Sequence, residues 1–290
     1  MISKLENDVL KLEVDNIGAE LLSIKSAHDK YEYLWQGDPL YLGMRAPVLF
    51  PVIGGLEGGK YRIGDNVFEM CTHGFARNME FDMINSGENI LEYNFGSNAE
   101  TLKLYPYEFR LQITYILIKN MLTVMYTIKN TDNRAIWFSI GAHPAFNCPL
   151  NGDSEIEDYY VEFEKYEYSD RLFVHDSMLT GKKELFLNNE KSIGLTDTLF
   201  DQKALVFQGL QSESATLRCR KSKKAVTVLF QGFPYLAFWS VKGGAPLLCI
   251  EPWHGIPSSR GENLDFREKR GVIKLEEGKL FNCEFKMIFE

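Results

Sequence analysis

No apolar run in this sequence approaches the roughly 18 residues that a membrane-spanning helix requires. The first residues, Met1-Ile2-Ser3-Lys4-Leu5-Glu6-Asn7-Asp8, hold no apolar core of signal-peptide length. These two absences predict a cytoplasmic protein with no membrane partner. The five cysteines are an odd number, widely scattered, and form no Cys-x-x-Cys pair. They read as reduced thiols in or near a core rather than as a disulfide framework. Basic residues are not in excess. The net charge is -8, which argues against a nucleic-acid surface while leaving room for a local basic pocket that takes a small anion. Linkers rich in Ser, Pro or Gly, internal repeats and low-complexity tracts are also missing, so residues 1–290 are expected to form one domain.

What the sequence does contain is period-two alternation in short runs, the mark of half-buried strands. The clearest pair covers 109–118, around Leu111, Ile113, Tyr115 and Leu117, and 121–129, around Leu122, Val124, Tyr126 and Ile128. With Lys119-Asn120 between them they predict a hairpin with one buried face. Further strands are predicted at 9–14, 19–25, 31–35, 135–140, 159–163, 204–207, 226–230, 236–241, 247–250 and 281–289. A short helix is expected at 263–270, capped by Asn263 and ended before Gly271. There is no alternation of strand with helix. The expected fold is all-β, a large antiparallel β-sandwich with few short helices.

Some motifs promise chemistry that their surroundings do not support. Gly54-Gly55-Leu56-Glu57-Gly58-Gly59-Lys60 nearly spells a phosphate-binding loop, but Tyr61 stands where a magnesium-binding hydroxyl belongs, and the chain that follows reads as extended. A glycine-rich turn entering a hairpin is the better reading. Cys71-Thr72-His73 and Glu251-Pro252-Trp253-His254 offer metal-ligand types without the spacing of a zinc site or the helix of a Glu-x-x-His motif, so no metal is expected. His28 and His175 sit among polar residues and read as surface histidines. Residues 221–224, with Arg218 and Arg220, read as a solvated strand end or turn.

Three stretches place an ionisable residue beside an aromatic and a glycine at the end of an apolar run: Thr72-His73-Gly74-Phe75-Ala76-Arg77, Gly141-Ala142-His143-Pro144-Ala145-Phe146 and Glu251-Pro252-Trp253-His254-Gly255. Gly141 and Ala142 leave little side-chain cover over His143, and Pro144 biases it toward an extended backbone. Glu251 closes an apolar strand, where a desolvated carboxylate has a raised pKa suited to proton transfer near neutrality. A salt bridge to Arg45 or Arg77 is the structural alternative.

Taken together, these stretches with Trp35-Gln36-Gly37-Asp38 and Arg45-Ala46-Pro47-Val48-Leu49-Phe50-Pro51-Val52-Ile53-Gly54 resemble the aldose 1-epimerase (mutarotase) family, most closely its LacX-like branch. The resemblance runs through nearly the whole chain. It implies a sandwich with an open sugar cleft on a concave sheet, a monosaccharide or sugar-phosphate substrate, and no cofactor. It implies His143 as general acid, protonated in the working enzyme, and Glu251 as general base. It also implies His73 as a substrate-binding histidine and Arg45 or Arg77 as the arginine that holds hydroxyls. Asp201, in Leu199-Phe200-Asp201-Gln202, is placed opposite an aspartate that binds hydroxyls in typical members. Phe75, Trp239 and Trp253 are candidates to cover the apolar face of the sugar ring, with core the better reading for Trp239. Arg45, Arg77 and Lys60 are candidates for an anion pocket. A sugar-binding module without catalysis needs no acid–base pair, and a retaining hydrolase needs two carboxyls ~5–5.5 Å apart where only Glu251 stands in a convincing motif.

Overall fold

The computed structural model describes residues 1–150, 154–263 and 265–290. Strand makes up about 53% of the chain and helix about 6%, so the all-β expectation holds. A single 15-stranded sheet dominates. It runs from Val48–Leu49 through Ile140–Ala142, Leu247–His254, Tyr235–Trp239, Leu205–Gln208 and Tyr159–His175. It then continues through Ser214–Cys219, Ala225–Leu229, Leu280–Phe289, Met121–Asn130, Phe109–Ile118 and Ile90–Gly96 to Asp82–Ser86. The predicted hairpin is present, with Leu122 opposite Leu117, Val124 opposite Tyr115 and Tyr126 opposite Ile113. The left-handed backbone of its turn falls on Lys119, at φ 53°.

A three-stranded antiparallel sheet, Ile2–Glu6, Leu10–Asp15 and Leu21–Ser26, packs over that hairpin. Its alternating Leu10, Leu12 and Val14 are buried in the same core as Tyr115 and Tyr126. The Tyr115 hydroxyl donates to the Ala19 carbonyl at 2.7 Å, giving a buried polar atom the partner it needs. A second part of the core is aromatic. Phe50 meets Phe75, Tyr105, Phe109 and Phe138 at ring-centroid distances of 5.0–6.2 Å, a range typical of tilted and edge-to-face packing.

Three sequence expectations change. Residues 31–35 form isolated bridges at Glu32 and Leu34 rather than a strand. The helix read at 263–270 reduces to a 3₁₀ turn, Phe266–Glu268, capped by Asp265, whose side chain accepts from the Arg267 amide. Residue 264 lies outside the described residues. The strand read at 159–163 is the start of a much longer one, Tyr159–His175, which turns at Asp176-Ser177 into Met178–Gly194. Register shifts between Glu162 and Val174 break its alternation, so the period-two signal fades after Phe163. The α-helix Ala99–Leu104 is capped by Asn98 and Thr101 in a reciprocal box. Its six residues are too few for a 3.6-residue pattern to show. The Gly54–Lys60 stretch enters the antiparallel hairpin Lys60–Ile63 with Asn66–Glu69, as the glycine-turn reading expects.

Candidate active site

The long strand Leu247–His254 builds the floor of the site. On one side it pairs with Ile140–Ala142, Ile140 opposite His254 and Gly141 opposite Trp253. Further along the same side it pairs with Ala145–Asn147, Ala145 opposite Cys249 and Phe146 opposite Leu248. Extending either register inward places His143 opposite Glu251. Pro144 lies in this gap, where it has no N–H to give to a ladder, and its carbonyl accepts from the Ile250 amide at 3.2 Å. The two side chains meet, His143 Nε2 lying 3.3 Å from Glu251 Oε2. Gly141 serves packing as well as access, since a Cβ there would stand 2.8 Å from Trp253 Cδ1.

His73 enters from the other side of the cleft. Its ring centroid lies 5.6 Å from that of His143, nearly perpendicular to it. The Gly54 amide donates to His73 Nδ1 at 3.2 Å, and the His73 amide donates to the Gly54 carbonyl at 2.9 Å. With Nδ1 accepting, a neutral ring carries its proton on Nε2 and has one donor left for a ligand. The turn is held by Gly74, at φ 74°, where a Cβ would lie 2.1 Å from the Phe50 carbonyl oxygen.

A cavity of about 320 Å³ opens over these groups, lined by His73, His143, Glu251, Trp239 and Trp253 together with loop residues. Its acid–base groups are desolvated. Burial pushes the Glu251 carboxyl well above its ordinary value, with the nearby Trp253 indole partly opposing. Burial holds the His143 imidazole down to about 4, and the Arg77 charge adds to the effect. Burial, then His143 and Arg77, lower His73 too. The pair therefore shares one proton, and desolvation favours the neutral arrangement with that proton on Glu251. The protonated His143 expected of the working enzyme is the form that burial alone disfavours. His143 Nδ1 and Trp253 Nε1 have no hydrogen-bond partner among the described residues, and Glu251 Oε2 has only the 3.3 Å approach of His143 Nε2. They are buried polar atoms left unsatisfied, which is uncommon in folded proteins. Cys249, two residues before Glu251 on the same strand face, brings its thiol within 4.8 Å of the pair's ligating atoms, and burial raises its pKa well above the usual value.

The other expected site residues fall elsewhere. Phe75 is 2% exposed and belongs to the aromatic core around Phe50, so it has no face to offer a sugar. Asp201 Oδ1 accepts from the Gly243 amide at 3.2 Å, and Asp201 does not line the cavity. Its carboxylate ties two surface loops together. Arg77 donates to the Thr72 carbonyl at 3.0 Å and approaches Met44 Sδ at 3.4 Å. Its charge acts on both histidines, lowering their pKa values. Arg45 lies beneath Gly37, with its Nε buried and unpartnered among the described residues. Neither arginine lines the cavity. Trp239, read as core, is on the cavity wall, its ring 6.1 Å from His143. His254 stacks on Phe233 at 4.5 Å, away from the cleft. Sequence reading missed the rim, which comprises Met44, Asp176, Ser177, Lys203 and Pro257 among others. The short hairpin turn at Asp176-Ser177 was the one available signal, hidden by the bulged strands around it.

The site is thus a buried His–Glu pair on the floor of a β-sandwich cleft, faced by a second histidine and two tryptophans. Residues 1–267 match the family described as aldose 1-epimerase, and the chain belongs to that family. It is 36% identical over 284 residues to the chromosomal LacX protein of Lactococcus lactis subsp. lactis, spanning 95% of both chains, and equally to the plasmid-borne LacX protein. A galactose mutarotase related enzyme from Lactobacillus acidophilus has a similar structure, with TM-score 0.96 and 31% identity over 100% of this chain and 97% of that one. A galactose mutarotase-like protein from Lactobacillus casei gives 0.94 and 32%, with both chains fully covered. A sugar epimerase or mutarotase role is supported on these grounds. No helix among the described residues is long and apolar enough to cross a membrane.

Proposed function

We propose that this protein interconverts the α and β anomers of a hexose such as galactose or glucose. The observation that carries this reading is the His143–Glu251 contact of 3.3 Å, with both groups desolvated at the foot of a sugar-sized cleft. One group takes the proton of the C1 hydroxyl while the other gives a proton to the ring oxygen. The bond from C1 to the ring oxygen breaks and an open-chain aldehyde forms. Rotation about C1–C2 presents the other carbonyl face, and closure returns both protons. Opening with Glu251 as base and His143 as acid starts from the ion-pair tautomer and leaves the neutral one, which is the arrangement that burial favours. Closure then runs the transfer backward. His73 Nε2–H donates to a sugar hydroxyl, and the tryptophans cover the apolar ring face.

A phosphorylated hexose is the second reading. The anion pocket expected from Arg45, Arg77 and Lys60 does not line the cavity, and Lys60 faces Glu69 at 3.6 Å on a distant hairpin. The observation in favour is Lys203, the one lysine lining the cavity among the described residues.

Wild-type protein is expected to accelerate equilibration of freshly dissolved α-galactose, followed by polarimetry. If galactose, glucose and their 6-phosphates all equilibrate at the uncatalysed rate, the reading fails. The pH profile follows from the pair's single proton. Below about 4, His143 gains a proton while Glu251 keeps its own, the pair has no acceptor, and the rate falls. Above the raised pKa of Glu251 the donor is lost. The rate is thus expected to hold above about pH 5 and to fall again only past the raised pKa of Glu251, with near-UV circular dichroism confirming the fold at each pH. A limb near the ordinary histidine value of ~6.5, lost in His143→Gln, would show the pair working as separate groups.

A further inference from the structure

One loop on the cavity wall is held by a group that lies behind it. Arg171 is 4% exposed, and its Nη2 donates to the carbonyls of Gln202, Lys203 and Ala204 at 2.8, 3.1 and 3.3 Å. The guanidinium lies over the Phe173 ring, 4.7 Å from the centroid, and Arg171 has no salt bridge among the described residues. A buried arginine spent on three consecutive carbonyls fixes the path of that backbone. The same loop is tied at two other points, by the Lys203 amide donating to the Phe200 carbonyl at 2.9 Å and by Asp201 on Gly243.

The residue displayed by this clamp is Lys203. Its φ is 69°, in the left-handed region that non-glycine residues seldom occupy and that carries strain when they do. Strain of this kind persists only when surrounding contacts over-determine it, as the clamp does. The side chain is exposed, lines the cavity, and has no carboxylate partner among the described residues. The other charged group on the rim, Asp176, is already engaged by Arg260 at 3.2 Å and His175 at 2.8 Å. Lys203 is therefore the uncommitted ionic donor of the cleft, presented from a strained and tightly held backbone.

We propose that Lys203 binds the oxygens of the sugar remote from the reacting carbon, and that Arg171 is a positioning residue that never touches the sugar and acts by fixing the 202–204 backbone. This rests on the sugar-cleft reading above. Lys203 sets affinity and selects among sugars, while the His143–Glu251 pair sets the chemistry.

The test separates binding from turnover. Galactose and galactose 6-phosphate are titrated against the tryptophan fluorescence of wild type, Lys203→Ala, Lys203→Gly, Arg171→Met and the double variant Arg171→Met/Lys203→Ala. Lys203→Ala is expected to weaken binding of the preferred sugar about tenfold or more, the scale of a hydrogen bond from a charged donor. The loss is expected in KM rather than kcat. Lys203→Gly fits the backbone without strain and is expected to lose as much, because the ammonium and not the loop path makes the contact. Arg171→Met is expected to weaken binding similarly and to add nothing in the Lys203→Ala background. If Arg171→Met does not fold, Arg171→Lys is judged by the same non-additivity. Lys203 variants that bind within twofold of wild type overturn the role of Lys203, and additive losses overturn the positioning role of Arg171. If neither sugar binds wild type, the cleft reading itself falls and this inference falls with it.

Discussion

Exchange of Glu251 for glutamine is expected to lower kcat for hexose anomerisation by roughly 10²–10⁴-fold, the usual contribution of a positioned acid–base group. Glutamine matches the shape of the carboxyl and can hydrogen-bond to His143, but it neither holds nor releases a proton at neutral pH. Binding of the sugar to the variant, read from tryptophan fluorescence, is expected to change little, so that the loss lies in the reacting step. The variant is also expected to fold well, since a neutral amide replaces a group that burial already drives toward neutrality. The measurement is polarimetry or NMR exchange on α-galactose, with the uncatalysed rate subtracted. A kcat within tenfold of wild type would remove Glu251 from the chemistry and leave the pair as a structural contact.

The second large effect concerns the fold under His73. Gly74→Ala is expected to cost roughly 3–5 kcal/mol, at the diagnostic end of single substitutions. Two causes act together. The φ of 74° is unfavourable for any residue with a Cβ. The Cβ would also lie 2.1 Å from the Phe50 oxygen. That oxygen cannot simply move away, because it accepts from the amides of Phe75 and Ala76 at 3.0 and 3.2 Å. Gly58→Ala is the matched control. Its φ is 60°, yet a Cβ there meets nothing within 4 Å, so only the conformational cost of about 1–3 kcal/mol applies. Urea midpoints for the two variants, at unchanged slope, measure the difference. Equal losses would show that the Phe50 carbonyl yields easily and that the turn carrying His73 is softer than its packing suggests.

The amino-acid pattern was most informative where burial repeats regularly. Strands 109–118 and 121–129 alternate cleanly, and the structure pairs them in the expected register. The His73, His143 and Glu251 motifs were visible because each ends an apolar run, and the fold gathers all three at one cleft. Phe75 and Asp201 were harder to place. Nothing local distinguishes an aromatic that stacks on a ligand from one that fills a core, and Phe75 packs against Phe50. Asp201 and Lys203 lie two residues apart in one loop whose carbonyls at 202–204 accept from Arg171, and of the two only the lysine lines the cleft. Long-range hydrogen bonds of that kind leave no periodic trace. The desolvation of His143 was likewise not legible, because it depends on how deeply a side chain is covered and not on its neighbours in the chain.

Because Leu247–His254 pairs with the strands on both sides of His143, the 3.3 Å approach of His143 to Glu251 is a property of strand registry. The rim is made of turns and loops, at 176–177 and 202–204, that can be rewritten without disturbing that registry. On the proposed reading, chemistry and selectivity sit on separately mutable parts of the molecule. A lineage or a designer is free to exchange the rim for another sugar while inheriting an intact proton-transfer pair, and loop-swapped chimaeras between related sandwiches are expected to change which sugar turns over well before they change how fast the bound sugar opens.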